Sequence, residues 1–260
     1  MESQNQPPKA KKSPNRKWLV MGIGLACALI ALLAVVAALV VNYFGPRIGS
    51  VSISNSAGPT SVPDITDTPQ SQVINVRMPP TRDHPQADHN KMGDPNAPVK
   101  IVEYADYQCP YCMHYWEETE PQVIQNDVAT GKVYYEYRSF GGFLGAESAA
   151  AANAAYCADD QGKFWEYHDI LFANWTGERV GDFAPAKLRQ YAAAIHLNLD
   201  QFNTCLDSST HQDLVDQDAA DGKAAGVQGT PSFIINGKLI PGALPYSDFQ
   251  QNIDAALNGK

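Results

Sequence analysis

Cys109 and Cys112 stand two residues apart in "ADYQCPYCMHYW", residues 105–116, directly after an apolar run. Such a pair can ligate a metal, attach haem, close a loop or exchange electrons. Haem attachment calls for a histidine immediately after the second cysteine, but Met113 holds that place and His114 comes one residue late. A structural zinc site calls for a second close pair, whereas Cys157 and Cys205 are 48 residues apart and far from the motif. A staple around a two-residue loop gains little from closure. Thiol–disulfide exchange remains. Pro110 suits the first turn of a helix, where no N–H is needed. A sulfur held at that point has its thiolate stabilised by unpaired amides and the helix dipole. A lowered pKa makes Cys109 a better leaving group and favours the dithiol, so its disulfide becomes more oxidising. Cys112, one turn further in, is read as the buried resolving thiol.

Two further features belong to the same chemistry. Glu103 lies in the strand-like run that leads to the motif, where a carboxylate facing inward under Cys112 would relay its proton; facing outward it would be an ordinary solvated residue. Thr230-Pro231 in "GVQGTPSFIING" (226–237) precedes an apolar strand. Proline there can simply end a loop, or a cis peptide bond can put a tight turn and a free backbone edge beside the cysteines.

The elements that must hold these residues follow from pattern. "GDPNAP" (93–98) is turn chemistry and "VKIVEYAD" (99–106) a strand. A helix runs from Cys109 to about Gln125, kinked at Pro121. "KVYYEYRSF" (132–140) is a second strand. Five helical pieces follow, "GAESAAAANAAYCADD", "KFWEYHDILFAN", "APAKLRQYAAAIH", "LDQFNTCLDS" and "HQDLVDQDAADGKAAG". "SFIING" and "KLIPG" form a hairpin about Asn236-Gly237, and "SDFQQNIDAALNG" closes as a helix with Ser247 as N-cap. The order describes an α/β domain with a helical insertion. Trp116, Phe164, Trp165, Tyr167 and Phe172 suit a packed core as well as a substrate groove. His114 is read equally as a neighbour of Cys109 or as a solvent-facing residue.

Charge is unevenly distributed. Of the net −9, residues 1–17 contribute +4 through Lys9, Lys11, Lys12, Arg16 and Lys17 against Glu2, residues 18–90 contribute −1, and residues 91–260 carry −12. So acidic a domain repels nucleic acid, which is discounted as a partner. From Trp18 to Val41 run 24 uncharged residues, enough to cross a bilayer core of roughly 30 Å as a helix. The run exceeds the apolar stretch of a signal peptide and ends in Val-Val-Asn-Tyr-Phe rather than a small-x-small site. Residues 18–41 are therefore read as an uncleaved transmembrane anchor into the lipid bilayer, with cleavage as the rival. The basic tail 1–17 stays in the cytoplasm, everything after Asn42 lies outside, and Cys27 is a small apolar filler within the span. Residues 42–91 are read as a disordered linker reaching roughly 40 Å, whose His84 and His89 are seldom-used metal candidates. The folded domain spans 92–260, with the helical insertion at about 145–226. Its four cysteines lie in a compartment that permits disulfides. They allow three pairings, the simplest joining Cys109 to Cys112 and Cys157 to Cys205.

"GDPNAPVKIVEYADYQCPYC", followed much later by "GVQGTPSFIING", resembles the DsbA-like thioredoxin-fold disulfide oxidoreductases, in particular their membrane-anchored extracytoplasmic branch. The resemblance covers roughly 92–260 and implies a thioredoxin fold interrupted by a helical subdomain. It makes Cys109 the nucleophile, Cys112 its buried partner, Glu103 the buried acid six residues earlier and Pro231 the cis-proline, with Thr230 the residue whose backbone meets substrate. Pro110 and Tyr111 form the middle dipeptide; tyrosine in place of the histidine of the best-known oxidase leaves the strength of oxidation open. Some members carry a second cystine in the insertion, for which Cys157 and Cys205 are placed; closing that loop would contribute roughly 4 kcal/mol, the alternative being two buried thiols. The implied activity is oxidation of exported protein or peptide thiols, with a quinone-linked membrane protein as reoxidant and neither metal nor organic cofactor. Alternatives are a reductase, an isomerase (though residues 45–90 show no dimerising domain) and an anchored binding or chaperone module in which the motif is only structural.

Overall fold

The computed structural model describes residues 75–259. The anchor 18–41, the basic tail 1–17 and linker positions 42–74 lie outside the described residues, among which no helix is long and apolar enough to cross a membrane.

A five-stranded mixed sheet forms the centre. In chain order its strands are β1 (Lys91–Met92), β2 (Val99–Ala105), β3 (Val133–Ser139), β4 (Ser232–Ile235) and β5 (Lys238–Pro241). Their spatial order is β1-β3-β2-β4-β5, with β2 and β3 parallel and every other pair antiparallel. In β3 the inward residues Val133, Tyr135, Tyr137 and Ser139 alternate with half-buried Tyr134, Glu136 and Arg138, the period-two signature of a strand covered on one face. A parallel pair needs a crossover, which α1 (Pro110–Glu118) and α2 (Glu120–Val123) supply, followed by a π turn over Ile124–Val128. The single helix expected to run to Gln125 with a kink at Pro121 is instead interrupted at Thr119. There the Thr119 hydroxyl donates to the Leu244 carbonyl, and Pro121 falls in the first turn of the second piece, where its missing N–H costs nothing.

The insertion comprises α3 (Ala146–Asp159), α4 (Phe164–Ala173), α5 (Pro185–Ala194), α6 (Leu199–Ser208) and α7 (Gln212–Ala224). Helix α3 is rich in alanine, and its Ala151, Ala152, Ala154, Ala155 and Ala158 are all buried. Small side chains on every side let the other helices close around it, which also erases an amphipathic pattern. Helix α7 lies against the sheet through Gly222, where a Cβ atom would come 2.8 Å from the Tyr104 ring. The disulfide Cys157–Cys205 joins α3 to α6. Hairpin β4–β5 turns at Asn236 and Gly237, both at positive φ as that tight turn requires. Helix α8 (Tyr246–Leu257) closes the fold; its N-cap is Pro245 rather than Ser247, and no side chain caps it.

The end of the expected linker is ordered. Residues 75–91 form a strap across the domain, and β1 begins at Lys91. Arg77 exchanges two hydrogen bonds with the Asn174 side chain, both 2.8 Å. The Arg82 guanidinium lies 4.1 Å over the Trp116 ring, with Nη1 3.0 Å from Glu120. His84 stacks on Trp165 and approaches Asp169 at 3.3 Å, while His89 bonds Asp159 at 3.1 Å. A polar composition with few apolar residues reads as unfolded chain. Here the strap holds because its charges meet partners that other elements bury.

Replacing Cys157 and Cys205 together by alanine is expected to cost about 4 kcal/mol, seen as a fall in Tm of about 8–16 °C, with thiol exchange at Cys109 preserved at temperatures where the variant stays folded. Thermal melts with and without reductant check this, since reductant should bring the unsubstituted protein close to the variant.

Candidate active site

The register of β2 explains why the two sequence-distant motifs meet. Tyr104 pairs with Ser232 of β4, so the next residues toward the end of β2 lie beside Pro231 and Thr230. The chain turns after Ala105, and Cys109 becomes the N-cap of α1 with Pro110 in its first turn. The Cys109 thiol consequently lies 3.3 Å from the Thr230 carbonyl oxygen, to which it donates. The Thr230-Pro231 peptide is cis.

The two thiols occupy opposite environments. Cys112 is fully buried, and Cys109 keeps 5 % of its surface open, so only Cys109 meets incoming sulfur. The hydrogen bond from the Cys112 thiol lowers Cys109 to about 6, helped by the Thr230 side chain and by the backbone N–H groups of Cys112 and Tyr111, against the opposing effect of burial. Burial pushes Cys112 well above the usual thiol range, and the same inter-thiol bond and the Cys109 charge push it the same way. A proton held on Cys112 is thus what stabilises the Cys109 thiolate. Both cysteines are free thiols in this structure.

Glu103 faces inward and is 2 % exposed. Burial raises its proton affinity strongly, and Glu120 and Cys109 add repulsion; the Tyr135 hydroxyl, which donates to Glu103 Oε2 at 2.6 Å, works in the other direction. Tyr111 is 67 % exposed next to the motif, and Pro110 and His114 are also exposed. Trp116, Phe164, Trp165, Tyr167 and Phe172 are all buried in the core.

Sequence reading missed the residues that fix the loop. Gln108, just before the nucleophile, donates through Nε2 to Ser148 of α3, accepts from the Arg179 N–H, and its carbonyl accepts from Trp175 Nε1. Asp106 accepts from the Gln108 and Leu144 N–H groups. The insertion is therefore bonded directly to the dithiol loop. Glu120, His168 and Asp169 were missed as well, although a histidine and a carboxylate inside the apolar stretch "EYHDILF" were a visible anomaly. Their donor atoms lie within 4.8 Å of one another, compact enough for a cation, but the Arg82 guanidinium already supplies positive charge there. The other such cluster among the described residues, Cys157, Cys205 and His211, has both sulfurs committed to a disulfide.

Comparison with known proteins agrees with this architecture. The family model described as Thioredoxin matches residues 86–255. The Na(+)/H(+) antiporter NhaA 3 of Salinispora tropica is 35 % identical over 178 residues, which are 67 % of this chain and 25 % of the antiporter; the chain spans about a quarter of the length of such antiporter relatives. Disulfide bond formation protein D of Bacillus subtilis is 26 % identical over 172 residues, 65 % of this chain and 77 % of that protein. The crystal structure of oxidised BdbD from Bacillus subtilis superposes with a TM-score of 0.61 at 24 % identity, covering 70 % of this chain and all of that one. With a mixed sheet, a dithiol at the start of its first helix and a helical insertion between β3 and β4, the chain belongs to the thioredoxin family.

Proposed function

We propose that the protein is a thiol–disulfide oxidoreductase that introduces disulfides into exported proteins through Cys109 and Cys112. The observation that carries this reading is the opposed proton affinity of the two thiols, one lowered to about 6 and the other raised by burial. A substrate thiolate attacks Cys109 Sγ of the enzyme disulfide and the Cys112 sulfur leaves, taking a proton from Glu103. A second substrate thiolate attacks the substrate sulfur of the mixed disulfide, and Cys109 leaves as a thiolate that needs no proton at neutral pH. Thr230, Pro231, Pro110 and Tyr111 border the sulfur and meet the substrate chain, while Cys157–Cys205 is structural. The dithiol is returned to disulfide by a membrane protein linked to quinone. Residues 18–41 hold the enzyme in the bilayer, with residues 1–17 cytoplasmic and the catalytic domain outside. The name of the Bacillus subtilis relative, disulfide bond formation protein D, supports the oxidising direction.

Mixed with a reduced two-cysteine peptide, the full-length protein in its disulfide form should form the peptide disulfide, and Cys109→Ser should abolish this while leaving the circular dichroism unchanged. A variant that unfolds, from a parent that never exchanged, would mark the motif as structural only. A reduction potential close to about −120 mV supports the oxidase, and one close to about −270 mV a reductase.

Thiolate absorbance of the reduced protein should titrate with a midpoint near 6, against ~8.5 for a free thiol. An acid whose pKa is lowered on folding stabilises the fold above its unfolded value and loses that contribution as pH falls. The dithiol form should therefore lose stability relative to the disulfide form as pH is lowered from ~8.5 to about 6. Glu103 has the opposite sign: its raised proton affinity favours the fold only at low pH. Glu103→Gln should thus raise Tm at pH 7, by about 2–4 °C for each kcal/mol gained, with the gain shrinking toward pH ~4.3, and should slow exchange through Cys112.

A further inference from the structure

Cys109 has two flanks. The sheet order puts β4 on one side of β2 and β3 on the other. Thr230, just before β4, borders the sulfur on the first side. On the second side the loop after β3 and the segment after α4 are bonded to the dithiol loop. The Leu144 N–H donates to Asp106 at 3.2 Å, the Arg179 N–H donates to Gln108 Oε1 at 2.6 Å, and Trp175 Nε1 donates to the Gln108 carbonyl at 3.1 Å. Gln108 is the residue directly before the nucleophile.

The side chains on this second flank are unlike the rest of an acidic surface. Residues 91–260 carry −12. Arg82, Lys132, Arg138, Lys187 and Arg189 all pair with carboxylates, whereas exposed Arg179 pairs with none among the described residues. Its Nε donates to the Leu144 carbonyl at 3.0 Å, which ties the two segments together and leaves the Nη fork, the part that grips a carboxylate, for another partner. Arg179 also stands at φ 58, a conformation uncommon for a residue with a side chain, and its N–H bond to Gln108 holds it there. Glu178 beside it is exposed and makes no ion pair with it. Val180 follows at 56 % exposed, and Phe143, next to Leu144, is 50 % exposed. Together with Tyr111 they are three of the seven large apolar side chains exposed among the described residues, and all three lie within two residues of a group that forms or bonds the dithiol loop.

We infer that Arg179 is a specificity-determining residue that receives a carboxylate of the client protein. The client chain runs from Thr230 across Cys109 to Arg179, with Val180 and Phe143 against its apolar side chains. This rests on the exchange chemistry proposed above. The occupant is a chain that carries Asp or Glu within a few residues of its reacting cysteine, on the side away from Thr230. Charge complementarity selects it. The domain as a whole repels an acidic client, so such a client gains only where an unpaired cation stands beside the sulfur. A basic client is drawn to the whole surface and gains nothing at Arg179. Arg179 touches the client and not the sulfurs, so it changes which clients react and leaves the sulfur chemistry as it is.

The test measures the second-order rate at which the full-length protein, in its disulfide form, oxidises reduced two-cysteine peptides that differ only in carrying Glu, Gln or Lys. The varied residue stands two places before the first cysteine in one set and two places after it in another, so either direction of the client chain is covered. Arg179→Asn keeps the N–H bond to Gln108 and suits a positive φ. In one of the two sets it should lower the Glu-to-Lys rate ratio about threefold to fivefold relative to wild type, with the Gln peptide unchanged. Comparing the two enzymes on the same peptides cancels the effect of each peptide's charge on its own thiol. Arg179→Lys should keep most of the wild-type ratio, and Arg179→Glu should lower it further. The difference between wild type and Arg179→Asn should shrink as salt is raised. A merely structural role would slow all three peptides alike and would not respond to salt in this way. If Arg179→Asn does not fold, Arg179→Gln replaces it with the same expected outcomes. Equal ratios in wild type and variant in both sets, or an equal loss on all three peptides, would overturn the role of Arg179 alone. A wild-type protein that oxidises none of the peptides would overturn the exchange chemistry together with it.

Discussion

A single shared proton governs this molecule. Cys112 holds it, Cys109 is stabilised as a thiolate by it, and the difference between the two sulfurs makes a pair of ordinary thiols directional. The arrangement requires one sulfur at the exposed start of a helix and the other a turn deeper in a dry interior. Pro110 permits the first, and the inward face of α1, with Tyr115 and Trp116 buried beside Cys112, provides the second. Helix amides contribute, but the inter-thiol bond is the larger influence, so the pairing itself matters more than the dipole.

Much of the remaining structure keeps that pair in place. The register of β2 against β4 delivers Thr230 to the sulfur, and the parallel pairing of β2 with β3 sets Glu103 beside Tyr137 and within reach of the Tyr135 hydroxyl. The insertion holds the other side of the loop through Gln108, which bonds to Ser148, Trp175 and Arg179 from two of its segments. The interior behind the dithiol is polar. Glu103, Glu120, His168 and Asp169 are all buried, a costly arrangement unless each charge is offset by a partner or a proton. Arg82 and His84 of the strap supply part of that offset, so the strap is part of the electrostatics of the site as well as its cover.

How legible this was varies by residue. Cys109 and Cys112 stood out by type and spacing, whereas local pattern left open the inward turn of Glu103 and the cis Thr230-Pro231 peptide, which the resemblance implied and the structure contains. Cys157 and Cys205 were placed by resemblance, since spacing alone left three pairings. The strap was misread because its composition is that of unfolded chain, and Arg82 gains order from Trp116, Glu120 and Asp169, which lie more than thirty residues away. Ser247 was misread as a cap because local preference cannot show that the chain enters α8 two residues earlier, at Pro245.

The amino-acid order by itself determined the chemistry available: two thiols at helical spacing, an acid in the preceding strand, a Thr-Pro before a later strand, and the period-two and helical patterns that make an α/β domain with an insertion. These are local properties, set by side-chain type and by repeats of two or nearly four residues. Tertiary structure alone decided that the hydrogen bond from Cys112 is the main influence on Cys109, which carboxyl groups are buried behind the dithiol and which of them the strap meets. Proton affinity depends on burial and on neighbours brought together from distant parts of the chain, and no short window of residues contains that information.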